Sequence, residues 1–267
     1  MDFFRLLIGT VELRPYVFIF FAIYLAIAVT TIGLKRTAIY TLLAYAMAFT
    51  CEYSSSHGDS GIPFGVYRYI QSTRDRELWI AGVPFMDSLS FTFLSFISYR
   101  LAILLLSPLS ASCKGVAVAE QKHKANIALT AALAGFLMMY LDIIIDPVAL
   151  QGRRWFLGEI YYYPDGGPYF GVSLANFAGW FVVCVVIVLA FAAIDRRLAG
   201  GSQPMGVRHF PFQWLAPAGL YFGILGFNLW VTFKIGETTM GMAGLFISLP
   251  LILLLALSIR KAGTQDD

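Results

Sequence analysis

Apolar residues fall into seven long stretches that short polar segments separate. The stretches cover residues 16–34, 37–53, 83–107, 124–146, 172–194, 212–233 and 240–259. A helix needs about 20 predominantly apolar residues to cross the hydrocarbon core of a bilayer, so each stretch is predicted to be a transmembrane helix. The pattern therefore predicts an all-α, polytopic membrane protein with about seven transmembrane helices in one bundle.

Composition supports this prediction. Of the 267 residues, 58% are hydrophobic and only 13% are charged, whereas soluble domains carry about 25% charged residues. No internal repeat and no long linker divides the chain, so residues 1–267 are expected to form a single integral-membrane domain. The net charge of +3 is spread over short loops and gives no indication of nucleic-acid binding. Cys51, Cys113 and Cys184 lie far apart without paired spacing, and we expect them to be small apolar core residues.

Polar residues of the predicted helices are concentrated at one end of the bundle. Because the chain crosses the membrane in alternating directions, the loops after the second, fourth and sixth helices emerge at the same face. Six polar residues lie near that face: Glu52, Asp87, Asp142, Asp146, Asn176 and Asn228. Helix order alone therefore predicts that their side chains converge in one leaflet, with Asn176 at the wall of a shared cavity.

The four carboxyl groups are the main candidates for chemistry. An acidic side chain at membrane depth costs about 2.5–3.5 kcal/mol on insertion scales and marks function by default. Asp142 and Asp146 are four residues apart, hence on one helical face, where two carboxylates cannot easily both ionise and are expected to share a proton. A protonated carboxyl is what a general acid needs. A structural role is the alternative for Asp146, as a turn residue before Pro147, and for Asp87, which favours the positive end of a helix.

A segment rich in glycine and proline follows Glu52. Gly61 and Gly65 allow positive φ and close backbone packing, and Pro63 fixes a turn. Irregular backbone at membrane depth is tolerated only against protein or a water-filled cavity. We therefore expect this segment to form a re-entrant or interfacial loop over a buried site that Glu52 faces.

Several classes of membrane protein do not fit the sequence. Membrane di-iron enzymes need many histidines, and this chain has three, well scattered. A retinal photoreceptor needs a lysine in its last helix, and the stretch 240–259 has none. Transporters commonly show internal repeats, and none is visible. Intramembrane prenyltransferases bind Mg²⁺-diphosphate through two Asp-rich motifs. Here "DIIID" at 142–146 resembles half of one and the second is missing, so this class stays open only as an alternative.

Three ordered segments carry a family resemblance. They are "CEYSSSHGDSGIPFGVYRY" (51–69), "GVPFMDSLSFTFLSF" (82–96) and "MMYLDIIIDPVALQGRRWFLGEIYYYPDGGPYFGVSLANFAGW" (138–180). Together they resemble bacterial and archaeal carotenoid biosynthesis proteins of the end-group hydratase type, which include the bisanhydrobacterioruberin hydratases and the hydratases of γ-carotene and lycopene ends. The likeness covers roughly residues 45 to 180, and the stretch 54–60 is more polar than is usual in that family.

The resemblance implies hydration of a terminal carbon–carbon double bond of an acyclic carotenoid, without a redox cofactor. The lack of histidine clusters and of paired Asp-rich motifs predicts that no metal is needed either. Such a reaction needs a protonated carboxyl, a polar group that holds water, and aromatic faces that stabilise a carbocation. The expected catalytic residues are Asp142, Asp146, Glu52 and Asp87, with Asp142 as the expected proton donor. The expected substrate-binding residues are Asn176, Tyr67, Tyr69, Trp155, Tyr169 and Trp180.

The expected partners are the carotenoid polyene taken from the lipid phase, water and membrane lipids, and association with other carotenoid-pathway enzymes is open. The expected location is the bacterial or archaeal cytoplasmic membrane, with several passes. Two other functions stay open at this point: a Mg²⁺-dependent prenyltransferase or other isoprenoid-modifying enzyme, and a non-catalytic carotenoid-binding membrane protein.

Overall fold

Helices dominate the computed structural model, which describes residues 2–107, 109–112, 115–118, 126–198 and 213–263. Within these ranges the helices are α1 (Asp2–Leu13), α2 (Pro15–Ile32), α3 (Leu34–His57), α4 (Phe85–Leu106), α5 (Ile127–Leu150), α6 (Leu174–Leu198), α7 (Ala216–Lys234) and α8 (Thr238–Gly263). The strands are β1 (Arg68–Tyr69), β2 (Trp79–Ile80), β3 (Val83–Pro84), β4 (Leu109–Ser112), β5 (Gly115–Val118) and β6 (Tyr161–Tyr162). They pair antiparallel as β1 with β6, β2 with β3, and β4 with β5.

The predicted all-α, polytopic architecture is confirmed. Each of the seven apolar stretches corresponds to one of the helices α2 to α8, although residues 83–84 form β3 and the helices α6 and α7 begin at Leu174 and Ala216. The predicted starts at residues 124 and 212 lie outside the described residues. Six helices, α2 and α4 to α8, are long and apolar enough to cross a membrane. The remaining stretch corresponds to α3, which is 24 residues long but carries Lys35 and Arg36 at one end and a polar Glu52–His57 segment at the other. The structure also contains α1, which the apolar pattern did not predict.

The central element is α4. It packs against α2, α3, α5 and α7 and is buried along most of its length. Ser88, Thr92, Ser95 and Ser98 are all buried there, and small side chains of this kind let neighbouring helices approach closely. Tyr40 of α3 donates a hydrogen bond to Ser95 Oγ at 3.0 Å. This helix thus provides the core around which the other spans are arranged.

The outer helices present apolar side chains outward. Only 22% of the α2 span and 17% of the α8 span are buried against protein, and Ile19, Leu249 and Leu253 are among the exposed aliphatic residues. A surface of this kind in a polytopic bundle faces lipid, since the hydrocarbon core satisfies apolar groups but no free polar ones.

Loops and α1 form a cap over one face of the bundle. The backbone N–H of Leu78 donates to Thr10 Oγ1 of α1 at 2.8 Å. Arg14, between α1 and α2, is buried, donates to the carbonyl of Leu157, and pairs with buried Glu77 at 3.4 Å. These contacts join segments that lie far apart in sequence, and so fix the cap over the ends of the spans.

The cysteines have no common role in the described structure. Cys184 is buried and Cys51 is half-buried, and both are free thiols. Cys113 lies outside the described residues. The core position predicted for these residues therefore holds fully for Cys184 and in part for Cys51.

The backbones of α5 and α6 approach closely at Gly135. A Cβ atom added to Gly135 would lie 2.7 Å from the Phe181 carbonyl oxygen and 2.7 Å from Val185 Cγ2. Both atoms belong to α6, so the absence of a side chain at Gly135 sets the separation of the two helices that carry Asp142, Asp146 and Asn176.

We therefore predict that Gly135→Ala lowers the melting temperature of the purified protein in detergent. Overpacking costs about 1–3 kcal/mol, which outweighs the gain of roughly 0.5–1 kcal/mol that alanine brings to a helix interior. Gly226→Ala in α7 is the matched control, because no described atom lies within 4 Å of its added Cβ. Equal thermal stability of the two variants would contradict the close packing.

Candidate active site

Four helices bring polar side chains together at the capped face. Glu52 lies near the end of α3, Asp87 in the first turn of α4, Asp142 and Asp146 near the end of α5, and Asn176 in the first turn of α6. Four of them are buried, and Asp87 is half-buried. The convergence that helix order predicts is therefore observed.

Asn176 links the two aspartates of α5. Its Nδ2 donates to Asp142 Oδ2 at 2.6 Å and to Asp146 Oδ2 at 3.0 Å. One amide group thus uses both of its N–H bonds on two neighbouring carboxyl groups. Asp142 Oδ1 is buried and has no hydrogen-bond partner among the described residues. One oxygen of Asp142 is therefore fixed, and the other is free to carry a proton.

Glu52 and Asp87 form a second acidic group on the other side of the site. Ser88 Oγ donates to Glu52 Oε2, and Tyr69 Oη donates to Asp87 Oδ2 at 2.7 Å. Each carboxyl group has a neutral donor, and no lysine or arginine among the described residues forms an ion pair with either of them. The acids are thus stabilised by hydrogen bonds.

The pairing of β1 with β6 places four tyrosines over the acids. Arg68 pairs with Tyr162, and Tyr69 with Tyr161. Side chains alternate along a strand, and Tyr162 is exposed. The tyrosines next to Arg68 and next to Tyr162 therefore turn inward, toward the acids. We call this inward set the tyrosine ribbon; it consists of Tyr67, Tyr69, Tyr161 and Tyr163.

The tyrosine ribbon donates hydrogen bonds to both acidic groups. Tyr161 Oη donates to Asp146 Oδ1, and Tyr163 Oη donates to Asp146 Oδ2 at 2.8 Å. The hydroxyl groups of Tyr67 and Tyr69 lie 3.2 Å apart, which connects the ribbon to the Asp87 side. The ribbon therefore holds the carboxyl groups of α4 and α5 in one network.

Burial and the nearby carboxylates keep these phenols protonated. Burial raises the pKa of Tyr163, and the Asp146 carboxylate raises it further. Burial, followed by the Glu52 and Asp87 carboxylates, raises the pKa of Tyr67, and the same three causes raise the pKa of Tyr69. A raised phenol pKa leaves the hydroxyl protonated over the whole neutral range, so the ribbon acts as a set of hydrogen-bond donors.

The loop after α3 closes the site from the side, as its glycine and proline pattern predicts. Gly61 and Gly65 have φ of +60° and +81°, a region open mainly to glycine. Between them the chain inserts Phe64, which is buried and whose N–H donates to Ser55 Oγ at 3.1 Å. A Cβ atom on Gly179 would lie 2.5 Å from Phe64, so that glycine makes room for the ring.

Two adjoining cavities lie between these elements. The polar cavity, of about 40 Å³, is lined by Glu52, Phe64, Tyr67, Asp87, Phe91, Asp146, Tyr161, Tyr163, Asn176 and Trp180. The apolar cavity, of about 100 Å³, is lined chiefly by aliphatic and aromatic side chains of α2, α4, α5 and α7, and Asp142 lies in its wall. The two share Asp87, Phe91, Asp146, Tyr161 and Trp180. Their boundary is thus formed by two carboxyl groups and three aromatic rings.

Comparison with known proteins assigns the sequence to a family. The sequence model of a family described as carotenoid biosynthesis protein matches residues 13–247. This chain belongs to the carotenoid biosynthesis protein family. The comparisons with curated proteins and with solved structures gave no match. Membership supports a role in carotenoid biosynthesis and the handling of lipophilic carotenoid compounds, and it confirms the family resemblance of the sequence.

In this carotenoid biosynthesis protein, most residues expected to bind substrate lie at the two cavities. Tyr67 and Asn176 line the polar cavity, Trp155 lines the apolar one, and Trp180 lines both. Tyr69 lines neither cavity and reaches the site through its hydrogen bond to Asp87. Their roles toward a substrate stay predictions.

Tyr169 lies away from the site. It packs against Phe170 and Phe177, with ring centroids 4.8 and 5.8 Å away, and lines neither cavity. It belongs to the loop before α6, whose isolated bridge pairs Tyr169 with Val172. The aromatic side chain therefore supports that loop. Contact of Tyr169 with substrate stays a prediction that neither cavity supports.

Three residues of the network were not among the expected catalytic or substrate-binding residues: Ser88, Tyr161 and Tyr163. Ser88 stands next to Asp87 but donates to Glu52. The two tyrosines occupy alternate positions of the run "YYYPDGG". Alternate residues of a strand face the same side, so the run of three tyrosines was the available signal. Only the pairing with β1 shows that the first and third tyrosines face inward.

The turn role considered for Asp146 is not what the structure shows. The helix continues past Pro147 to Leu150, and Asp146 accepts hydrogen bonds from Tyr161, Tyr163 and Asn176. A helix can continue past a proline where neighbouring groups satisfy the freed backbone. Among the described residues, no three His, Cys, Asp or Glu side chains are grouped so that they could hold a metal ion.

We predict that Tyr163→Phe impairs carotenoid conversion in a carotenoid-producing host by roughly 10- to 100-fold. It removes one hydrogen bond to a carboxyl group, and bonds to charged groups contribute about 1.5–3 kcal/mol. Tyr162→Phe makes the same change at the adjacent exposed position and should leave conversion unchanged. Pigment analysis of both strains at equal protein level checks this. Equal loss in the two variants would contradict the inward role of the ribbon.

Proposed function

We propose that this protein is a membrane-embedded hydratase that adds water to a terminal C=C bond of an acyclic carotenoid end group by acid catalysis. One observation carries the proposal: Asp142 has one oxygen fixed by Asn176 and the other unpartnered in the wall of an apolar cavity. A hydrocarbon end group in that cavity lies next to a buried carboxyl oxygen, Asp142 Oδ1, that has no competing hydrogen-bond partner among the described residues.

The first step is transfer of the Asp142 proton to carbon. The π electrons of the terminal double bond form a new C–H bond at the less substituted carbon, and the Asp142 O–H bond breaks. Asp142 becomes a carboxylate, and a tertiary cation remains at the other carbon. Cavities of about 150 Å³ with apolar linings hold benzene, so an apolar cavity of about 100 Å³ suits a small branched hydrocarbon end.

The aromatic rings between the cavities stabilise the cation. Phe91 and Trp180 lie against each other with centroids 4.4 Å apart, and Tyr161 completes the boundary. Cation–π contacts contribute about 0.5–1 kcal/mol at exposed sites and 2 or more where water is excluded. Asp87 and Asp146 at the same boundary add negative charge.

Water then captures the cation from the polar cavity. A volume of about 40 Å³ exceeds what one water molecule needs, and Glu52, Asp87, Asp146 and Asn176 line it. An oxygen lone pair forms the C–O bond, one carboxylate accepts the released proton, and its return through the acid network to Asp142 restores the starting state. The balance is one alkene and one water consumed per tertiary alcohol formed.

A prenyltransferase has weaker support. A diphosphate substrate needs metal ions or basic side chains, and among the described lining residues of both cavities there is no Lys or Arg. A binding protein without catalysis does not require an unpartnered acid against an apolar wall. In keeping with the hydratase resemblance of the sequence, we propose that the protein lies in the cytoplasmic membrane of a bacterium or archaeon.

We expect Asp142→Asn to lower turnover of an acyclic carotenoid by at least about 10²-fold, the lower end of what general acid catalysis contributes. Asparagine keeps the size and the contact with Asn176 but has no transferable proton. Asp165→Asn is the matched control, since Asp165 lies exposed in the loop after β6. Mass spectrometry of purified protein with polyene measures the gain of one water. Near-wild-type turnover of intact Asp142→Asn would refute the mechanism.

We further expect turnover to survive EDTA. The proposed acid, water site and rings are all side chains of this chain, and no step requires a metal. The control is turnover with added Mg²⁺ and a prenyl diphosphate. Activity that is lost in EDTA and restored by Mg²⁺, or that appears only with the diphosphate, would favour prenyl transfer instead.

A further inference from the structure

An apolar groove runs along the outer surface between α2 and α7. Phe20, Ile23 and Thr30 line its α2 side, and Gly219, Leu220 and Gly223 line its α7 side. The groove encloses about 570 Å³, several times the volume of the cavities at the acids. It lies on the lipid-facing part of the bundle, because Ile19 and Ile23 beside it are exposed apolar residues.

The groove exists because α7 lacks side chains on this face. A Cβ atom added to Gly219 or Gly223 would meet no described atom within 4 Å. Glycine in a helix interior costs about 0.5–1 kcal/mol relative to alanine, and here helix packing among the described residues does not require it. The open space therefore calls for another explanation than close packing of the two helices.

Phe20 connects the groove to the apolar cavity. Its ring lines both spaces. On α7, Leu220 lines the groove, and Ile224, one turn further along, lines the cavity. The cavity wall in turn contains the unpartnered Oδ1 of Asp142, which is fully buried. Phe20 thus stands between the groove and the cavity whose wall holds the unpartnered acid.

The direction of the groove fits an elongated molecule. Phe20 and Thr30 lie ten residues apart on α2, which corresponds to about 15 Å along a helix. This is about half of the hydrocarbon thickness of a bilayer. A chain whose end group occupies the cavity therefore extends along the bundle axis, from the acid-bearing face toward the opposite face, with one side against α2 and α7 and the other against lipid.

We infer that the α2–α7 groove is the binding subsite for the extended polyene tail of the substrate, and that Phe20 marks the passage from the lipid to the acid. This rests on the proposed function for the identity of the reacting end. The substrate class is then a long isoprenoid with an extended, acyclic tail that reaches the site from within the membrane. Only one end can occupy the cavity at a time, so a molecule with two reactive ends must leave and rebind between reactions.

Filling the groove tests this inference. We expect Gly223→Leu, and independently Gly219→Leu, to weaken binding of lycopene to the purified protein in nanodiscs by about tenfold or more, since a single misplaced methylene in a fitted pocket already costs about 10- to 200-fold. Gly226→Leu is the matched control: Gly226 is also an exposed α7 glycine with open space, and it does not line the groove. Quenching of tryptophan fluorescence by the polyene measures binding without requiring any reaction.

The outcomes separate the groove from the proposed reaction. If the wild type binds lycopene but does not hydrate it, and the groove variants bind it weakly, the subsite stands and the hydratase proposal fails. If groove variants with wild-type folding bind and convert lycopene normally, or lose only bound phospholipid, the groove is not the tail subsite. For an active wild type, a time course should show singly hydrated lycopene released before the doubly hydrated product; exclusive appearance of the doubly hydrated product would overturn the single-end geometry.

Discussion

The buried carboxyl groups are the constraint on which the rest of the structure depends. Four acids at one face of a membrane bundle are costly, and the described residues form no ion pair with any of them. The structure supplies neutral donors instead: Asn176 between the α5 aspartates, Ser88 for Glu52, and the tyrosine ribbon for Asp87 and Asp146. The pairing of β1 with β6, the Phe64 loop and the buried Arg14–Glu77 pair all hold these donors in place.

This arrangement divides the site according to what each part contacts. The polar cavity gathers carboxyl, amide and phenol groups. The apolar cavity is lined chiefly by hydrocarbon, with Asp87 and Asp146 at the shared boundary and the unpartnered Oδ1 of Asp142 in its wall. Hydration of an alkene needs this division, because water close to the acid would solvate it and compete with carbon for its proton. The aromatic rings of Phe91, Tyr161 and Trp180 stand where the two environments meet, at the position at which positive charge would develop.

Much of this followed from the sequence, for physical reasons. Twenty-residue apolar stretches have few alternatives to helices in a membrane, and helix order alone places Glu52, Asp87, Asp142 and Asp146 at one face. What the sequence did not provide was pairing across the chain. The inward direction of Tyr161 and Tyr163 depends on the register with β1, and the two-way bridge of Asn176 depends on the close approach of α5 and α6 at Gly135. The position of Tyr169 outside both cavities could not be predicted for the same reason, since an aromatic residue in a loop has no periodicity that fixes its direction. The helix α1 was missed because it is short and its polar and apolar residues are mixed.

The most direct test of the account is the fate of a proton. Purified protein in D₂O, given an acyclic polyene, should form a tertiary alcohol with one deuterium bound to the neighbouring carbon, and Asp142→Asn should form neither the alcohol nor the carbon–deuterium bond. An alcohol that forms without deuterium on carbon, or that Asp142→Asn forms at the normal rate with deuterium, would contradict proton transfer from Asp142 as the step that starts the reaction.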